Sequence, residues 1–160
     1  ILLQGQDSRL YQKLVQEKGI TDSISGGINA DLGNMFDYNG PMLWSASLIH
    51  DANVAPETIL ALIDGEIEAL RSKPVEKAVL DRALIKFRSG FYDMLGGIFG
   101  FGRANLLANF ALFNDKPDMI NTIEDQFRKI TPELIQKAAR EYLRPTNRTT
   151  FVLKTKPAGK

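Results

Sequence analysis

Residues 7–20, Asp-Ser-Arg-Leu-Tyr-Gln-Lys-Leu-Val-Gln-Glu-Lys-Gly-Ile, leave little freedom in local structure. Asp7 or Ser8 can accept a hydrogen bond from an unpaired N–H at a helix start. Leu10 and Leu14, with Tyr11 and Val15 beside them, then share one face at helical spacing. Gly19 supplies the left-handed stop, because a residue without Cβ takes positive φ at no steric cost. The next residues, Ile20 to Ala30, alternate and carry Ser, Thr and Gly, a pattern that suits a strand. A helix that hands the chain directly to a strand commits this region to a mixed fold.

Further strand-like sequence follows. Asp31-Leu32-Gly33-Asn34 reads as a turn, Met35 to Tyr38 as a short strand, and Met42 to Ile49 as another, with Leu43, Ser45, Ser47 and Ile49 on one side. Together these predict a small antiparallel meander. From Pro56 the period changes to a helical stripe, Ile59, Leu60, Ile63, Ile67 and Leu70. A second helix is predicted from Val75, weakening at Ser89-Gly90 and ending by Gly96-Gly97. A third covers Arg103 to Phe113 and a fourth Met119 to Ile130. Thr131-Pro132-Glu133 is a start signal, a capping hydroxyl before proline at the first helical position, for a helix burying Leu134, Ile135, Ala138, Ala139 and Tyr142. Thr149 to Lys154 reads as a last strand. The order predicts an α+β fold, an antiparallel sheet with several helices packed on one face, as one domain over residues 1–160.

Composition narrows the chemistry. A formal charge of +1 with scattered Lys and Arg gives no footprint for nucleic acid. No apolar run approaches the ~18 residues of a membrane span. Without cysteine there is no thiolate ligand or nucleophile, and the lack of disulfides suits cytoplasm and periplasm equally. The opening Ile1-Leu2-Leu3 suggests a piece of a longer protein, N-terminally truncated. Gly96 to Gly102 lacks the spacing of a phosphate loop and reads as an inter-helix hinge, with Phe99 and Phe101 as candidates for contact with a partner. His50 is the single histidine, too few to build a metal site by itself, and reads as a surface or turn residue. The acids Glu66/Glu68 and Glu124/Asp125 read as solvated charge on polar helix faces.

Ser8-Arg9-Leu10-Tyr11 with Leu14 and Gly19-Ile20, the alternating strands after it, the acid-rich helix from Pro56 to Arg71, and above all the run Ile130 to Pro145 closed by Asn147-Arg148 resemble the C-terminal, non-zinc-binding domain of the pitrilysin/insulinase family of zinc peptidases, which includes mitochondrial processing peptidase. The likeness spans nearly the whole chain. It implies one half of a clamshell, whose other half carries the inverted motif His-x-x-Glu-His, two zinc-binding histidines and a water-activating glutamate. One histidine cannot make that motif, so the resemblance implies that zinc sits in a partner domain and none in this chain.

In active relatives the opposing half lends an arginine and a tyrosine to the cleft, where they position substrate and stabilise the oxyanion. Counted from Leu14 and Gly19, those positions are occupied here by Val15 and Asp22. Valine has no donor, and a carboxylate repels an oxyanion. No Arg or Tyr lies anywhere in Val15 to Ile24. The resemblance therefore implies a domain without catalytic, cofactor-binding or metal-binding residues of its own, inactive alone within a zinc metalloendopeptidase assembly. Its implied partners are a zinc-bearing domain or subunit of the same family, in this chain or another, and a peptide substrate. The alternative is a scaffold protein of peptidase-like fold with no proteolytic role. A third reading has the lost cleft residues replaced by others, such as Arg71 or Arg103. Exported relatives of similar domain length point to the bacterial periplasm.

Overall fold

The computed structural model describes residues 1–33, 35–97 and 101–153. A π-helix at Tyr11–Glu17 is followed by β1 (Ile24–Ile28), β2 (Trp44–Leu48), α1 (Pro56–Ser72), α2 (Lys77–Gly96), α3 (Phe101–Asn114), a 3₁₀ turn (Pro117–Asn121), α4 (Ile123–Arg128) and α5 (Pro132–Tyr142). The fold is α+β, as the sequence predicts.

The first helix starts differently from its expected cap. The N–H groups of Arg9 and Leu10 donate to the carbonyls of Ile1 and Leu2, at 3.0 and 3.1 Å. Backbone oxygens thus take the place of a capping side chain. Asp7 is drawn instead to the Lys86 ammonium on α2, and the Ser8 hydroxyl is buried without a partner among the described residues. The stop is as expected: Gly19 has φ +57°, its N–H reaches the Val15 carbonyl, and the Ile20 N–H reaches that of Leu14 at 2.9 Å. Between these ends Leu10 and Leu14 are fully buried.

β1 and β2 pair antiparallel from Ile24↔Leu48 to Ile28↔Trp44. Residues opposite each other share a face. Ile24, Trp44 and Leu48 lie against the core, while Ser25, Ser47, Gly27 and Ser45 lie on the other face. Gly26, at φ +140°, admits no side chain, because a Cβ would run into the Ser45 carbonyl. The Asn29 N–H donates to the Leu43 carbonyl at 2.8 Å, one step beyond the last pair. Hydrogen-bonded pairs alternate along an antiparallel ladder. The ladder bonds therefore fall at 25/47, 27/45 and 29/43, and Trp44, Ala46 and Leu48 turn their N–H and C=O groups to the outer edge.

The predicted meander is reduced to this ribbon. Met35 to Tyr38 forms turns and a bend in place of a strand, because Phe36 is drawn into an aromatic cluster, edge-on to Phe91 and Phe110 at centroid distances of 6.1 and 5.6 Å. Asn39 Nδ2 donates to the Phe113 carbonyl, holding the same segment on α3. At the other end residues 149–153 are irregular, with Phe151 and Leu153 exposed. They have no ladder partner among the described residues, and Lys154 lies outside these.

Two apolar clusters form the interior. The first gathers Leu10, Leu14, Ile24, Ile59, Leu80 and Ala139 with their neighbours; the second gathers Phe36, Phe91, Leu106, Phe110 and Ile123. α1 begins at Pro56 as expected. α2 runs unbroken through Ser89-Gly90, where weakening was expected, because Phe87 and Phe91 on either side pack in the second cluster. Phe87 stacks on Phe127 of α4 with centroids 3.5 Å apart. The helix expected over Met119 to Ile130 is split at Thr122 into the 3₁₀ turn and α4.

α5 carries its predicted cap, Thr131 Oγ1 accepting the Leu134 N–H at 3.3 Å. Its buried face differs from expectation. Ala139 is buried with Ile135 and Leu143 beside it, whereas Leu134 and Tyr142 are 48% and 61% exposed. Gln136 Nε2 and Arg140 Nε both donate to the Arg71 carbonyl on α1, at 3.1 and 2.6 Å, and these bonds set the rotation of α5.

The acids expected to be solvated include two that are not. Glu66 accepts from Arg9 Nη1 at 3.2 Å and ties α1 to the first helix. Glu124 receives the Tyr92 hydroxyl at 2.9 Å, Arg88 Nε at 3.1 Å and Arg128, joining α2 to α4. The Tyr92 hydrogen bond, followed by Arg128 and Arg88, lowers the Glu124 pKa.

Two outcomes follow for stability. Phe110→Ala lowers the unfolding free energy by about 3–5 kcal/mol, measured by urea denaturation; a loss under about 1 kcal/mol contradicts a core role. A lowered folded-state pKa means that Glu124 stabilises the fold fully above the ordinary carboxylate value, and that this contribution is lost as pH falls from there through the lowered folded-state pKa. Glu124→Gln should thus lower Tm at pH 7, and the gap to the wild type should begin to narrow below about pH 4.3 and close once the pH is under the lowered folded-state pKa. A gap independent of pH refutes the assignment.

Candidate functional site

The positions where the family's arginine and tyrosine are expected stand at the junction of the first helix with β1. Val15 is half-buried on the π-helix, and Asp22 is exposed in the bend before β1. The bend is pinned by Thr21, whose hydroxyl donates to the Ile49 carbonyl at 2.6 Å, joining it to the end of β2. Arg9 and Tyr11 serve packing: Arg9 pairs with Glu66, and Tyr11 lies against the first cluster.

The two arginines considered as replacements are not brought together. Arg71 pairs with Glu68 at the end of α1, and its carbonyl anchors α5. Arg103 is exposed on α3, a helix of the second cluster. His50 Nδ1 lies 2.8 Å from the carbonyl oxygen of its neighbour Asp51. Among the described residues, no group of three or more His, Asp or Glu side chains is placed to hold a metal ion.

The glycine segment divides into what the structure describes and what it does not. A Cβ on Gly102 would collide with the Met94 carbonyl, so this glycine permits the close approach of α3 to the end of α2. Phe101 is 73% exposed; the expectation for Phe99 lies outside the described residues.

The unspent hydrogen-bonding capacity of this region is in its backbone. The outer edge of β2 presents the N–H and C=O groups of Trp44, Ala46 and Leu48, and none of them bonds to another backbone segment among the described residues. β2 carries no proline and no charge, the usual devices that blunt an edge. Such an edge can receive an extended chain. Sequence reading found the strand; only the register, set by the Asn29–Leu43 bond, shows which groups face out.

A sequence model of the family described as "Peptidase M16 inactive domain" matches residues 1–87, more than half of the chain. No curated protein sequence matches. Among solved structures, the chain is similar in fold to a proposed zinc protease from Bordetella pertussis Tohama I, at 23% identity and a TM-score of 0.72, over 93% of this chain and 76% of that one. It is similar to the inactive peptidase domain of a proposed zinc protease from Bordetella parapertussis, at 24% identity and a TM-score of 0.71, over 93% and 75%. A protease from Helicobacter pylori aligns at 20% identity and a TM-score of 0.70, over 92% of this chain and 33% of that larger one. The structural likeness extends past residue 87 into the helices that the family model leaves unmatched. The chain belongs to the peptidase M16 inactive-domain family.

Proposed function

We propose that this domain is the non-catalytic half of a zinc-dependent peptidase, enclosing the cleft and holding peptide opposite a zinc-bearing domain or subunit of the same family. One observation carries the reading: an M16 inactive-domain sequence with a single histidine, unable to supply the two zinc-binding histidines of His-x-x-Glu-His. Zinc then belongs to the partner. Val15 and Asp22 fit this role, the first without a donor and the second with a charge of the wrong sign for an oxyanion. Kinship to mitochondrial processing peptidase is part of the same proposal and rests only on that peptidase's membership of the pitrilysin/insulinase family, which the run Ile130 to Pro145 resembles.

What such a half contributes is position. An extended peptide laid along the β2 edge would form main-chain hydrogen bonds with Trp44, Ala46 and Leu48, which recognise a backbone regardless of its sequence. Holding the scissile bond near the partner's metal turns an encounter between three bodies into one within a complex.

Two measurements address this. The purified chain, supplied with zinc, should leave a fluorogenic peptide intact; cleavage that a chelator abolishes refutes the non-catalytic assignment. In fluorescence anisotropy the chain should bind a labelled, unstructured peptide, and Ala46→Pro should weaken binding about tenfold, ~1.4 kcal/mol. That substitution removes an outward N–H and keeps the ladder to β1. Unchanged affinity, with circular dichroism showing an intact fold, removes the β2 edge as the peptide site. No binding at all favours the scaffold role.

A further inference from the structure

The segment that carries Phe36 into the aromatic cluster is tied to α3 by side chains. Asn109 Nδ2 donates to Asp37 Oδ1 at 2.6 Å, and the Tyr38 ring stands edge-on to Phe113 with centroids 6.2 Å apart. Asn39 Nδ2 donates to the Phe113 carbonyl at 2.9 Å. That carbonyl is one of the last four of α3, and the residue four places on is Pro117, which has no N–H to offer it. The Asn39 amide therefore caps the end of the helix.

The residue that makes this bond is chemically labile. Asn39 is exposed and is followed by Gly40, the single Asn-Gly pair in the chain. The deprotonated Gly40 amide nitrogen can attack the Asn39 side-chain carbon Cγ. An N–Cγ bond forms, the Cγ–Nδ2 bond breaks, and Nδ2 leaves as ammonia after taking a proton from water. Water then opens the five-membered succinimide at either carbonyl, giving aspartate or isoaspartate. In total one water is consumed and one ammonia released, and no other reagent is needed. A side chain on the following residue obstructs this ring closure, and glycine has none. The packing explains why glycine stands there: a Cβ on Gly40 would lie 2.7 Å from the Tyr38 ring. The Gly40 N–H makes no backbone hydrogen bond among the described residues, so the attacking nitrogen is not withheld.

We propose that Asn39 is a site of spontaneous deamidation, and that its conversion releases residues 35–40 from α3. The leaving nitrogen is the atom that donates to Phe113, so the bond is lost with it. The new carboxylate faces a carbonyl oxygen and adds a negative charge at the negative end of the α3 dipole. Isoaspartate also lengthens the main chain by one carbon between Tyr38 and Gly40. The inference is independent of the peptide-holding role.

The test is incubation of the 160-residue chain in mildly alkaline buffer, followed by mass spectrometry with fragmentation and by an isoaspartyl methyltransferase assay. A gain of one mass unit localised to residue 39, with isoaspartate appearing, is expected. The formal net charge falls from +1 to zero, which ion-exchange chromatography resolves. An unstructured peptide Asp-Tyr-Asn-Gly-Pro sets the reference rate, and opening the bond to Phe113 slows the folded chain about tenfold, ~1.4 kcal/mol. Conversion should lower Tm by about 2–4 °C. Asn39→Asp should show that lower Tm from the start. Asn39→Gln, whose ring closure would need six members, should gain no mass at that position. Residue 39 unconverted well beyond the tenfold delay, or a Tm unchanged by conversion, overturns the proposal.

Discussion

The continuity of α2 is the condition on which the two halves of the interior depend. Leu80 near its start is buried in the cluster that holds the sheet, and Phe91 near its end is buried in the aromatic cluster with α3 and α4. Gly90 lies between these anchors, where glycine costs about 1 kcal/mol relative to alanine. Packing on either side outweighs that local preference. The ion pairs along α2 follow the same division, Lys86 reaching back to Asp7 and Arg88 reaching forward to Glu124. A break in the middle would leave two clusters, each short of one wall.

How legible this was depended on the distance over which each residue acts. Signals that operate within one turn were plain in the sequence. Thr131-Pro132 started α5, Pro56 started α1, and Gly19 ended the first helix by a positive φ that glycine takes freely. Both strands of the ribbon were also readable from alternation. Residues whose role is set by a distant partner were not. Phe36 sits in a short apolar run that looks like a strand, and only the aromatic cluster formed by α2 and α3 shows that it belongs there. Asp7 has the right chemistry for a cap, yet Lys86, 79 positions away, holds it more strongly than a backbone N–H would. Leu134 and Tyr142 share a helical stripe with Ala138, but hydrogen bonds from Gln136 and Arg140 to a single carbonyl turn that stripe outward.

The candidate site was legible in a narrower sense. Val15 and Asp22 were counted off from Leu14 and Gly19 as the proposed cleft positions, whereas the half-buried setting of the one and the exposed bend of the other came only from the structure. What spacing could not reveal was the parity of the ladder. One bond, from Asn29 to Leu43, decides that the even-numbered residues of β2 face away from β1. This row of amides is what the proposed peptide-holding role draws on, whereas the non-catalytic reading rests on the single histidine.

That same open edge has a consequence for how the domain behaves at different concentrations. Amides able to receive a peptide can equally receive the ribbon of a second copy, since a backbone does not distinguish self from substrate. Gly26 and the small side chains of Ser45 and Ser47 leave little bulk to keep two ribbons apart. Self-association and the proposed peptide capture would thus draw on one set of hydrogen bonds. A mating domain that covers the ribbon would act as a solubiliser as well as a catalyst's other half.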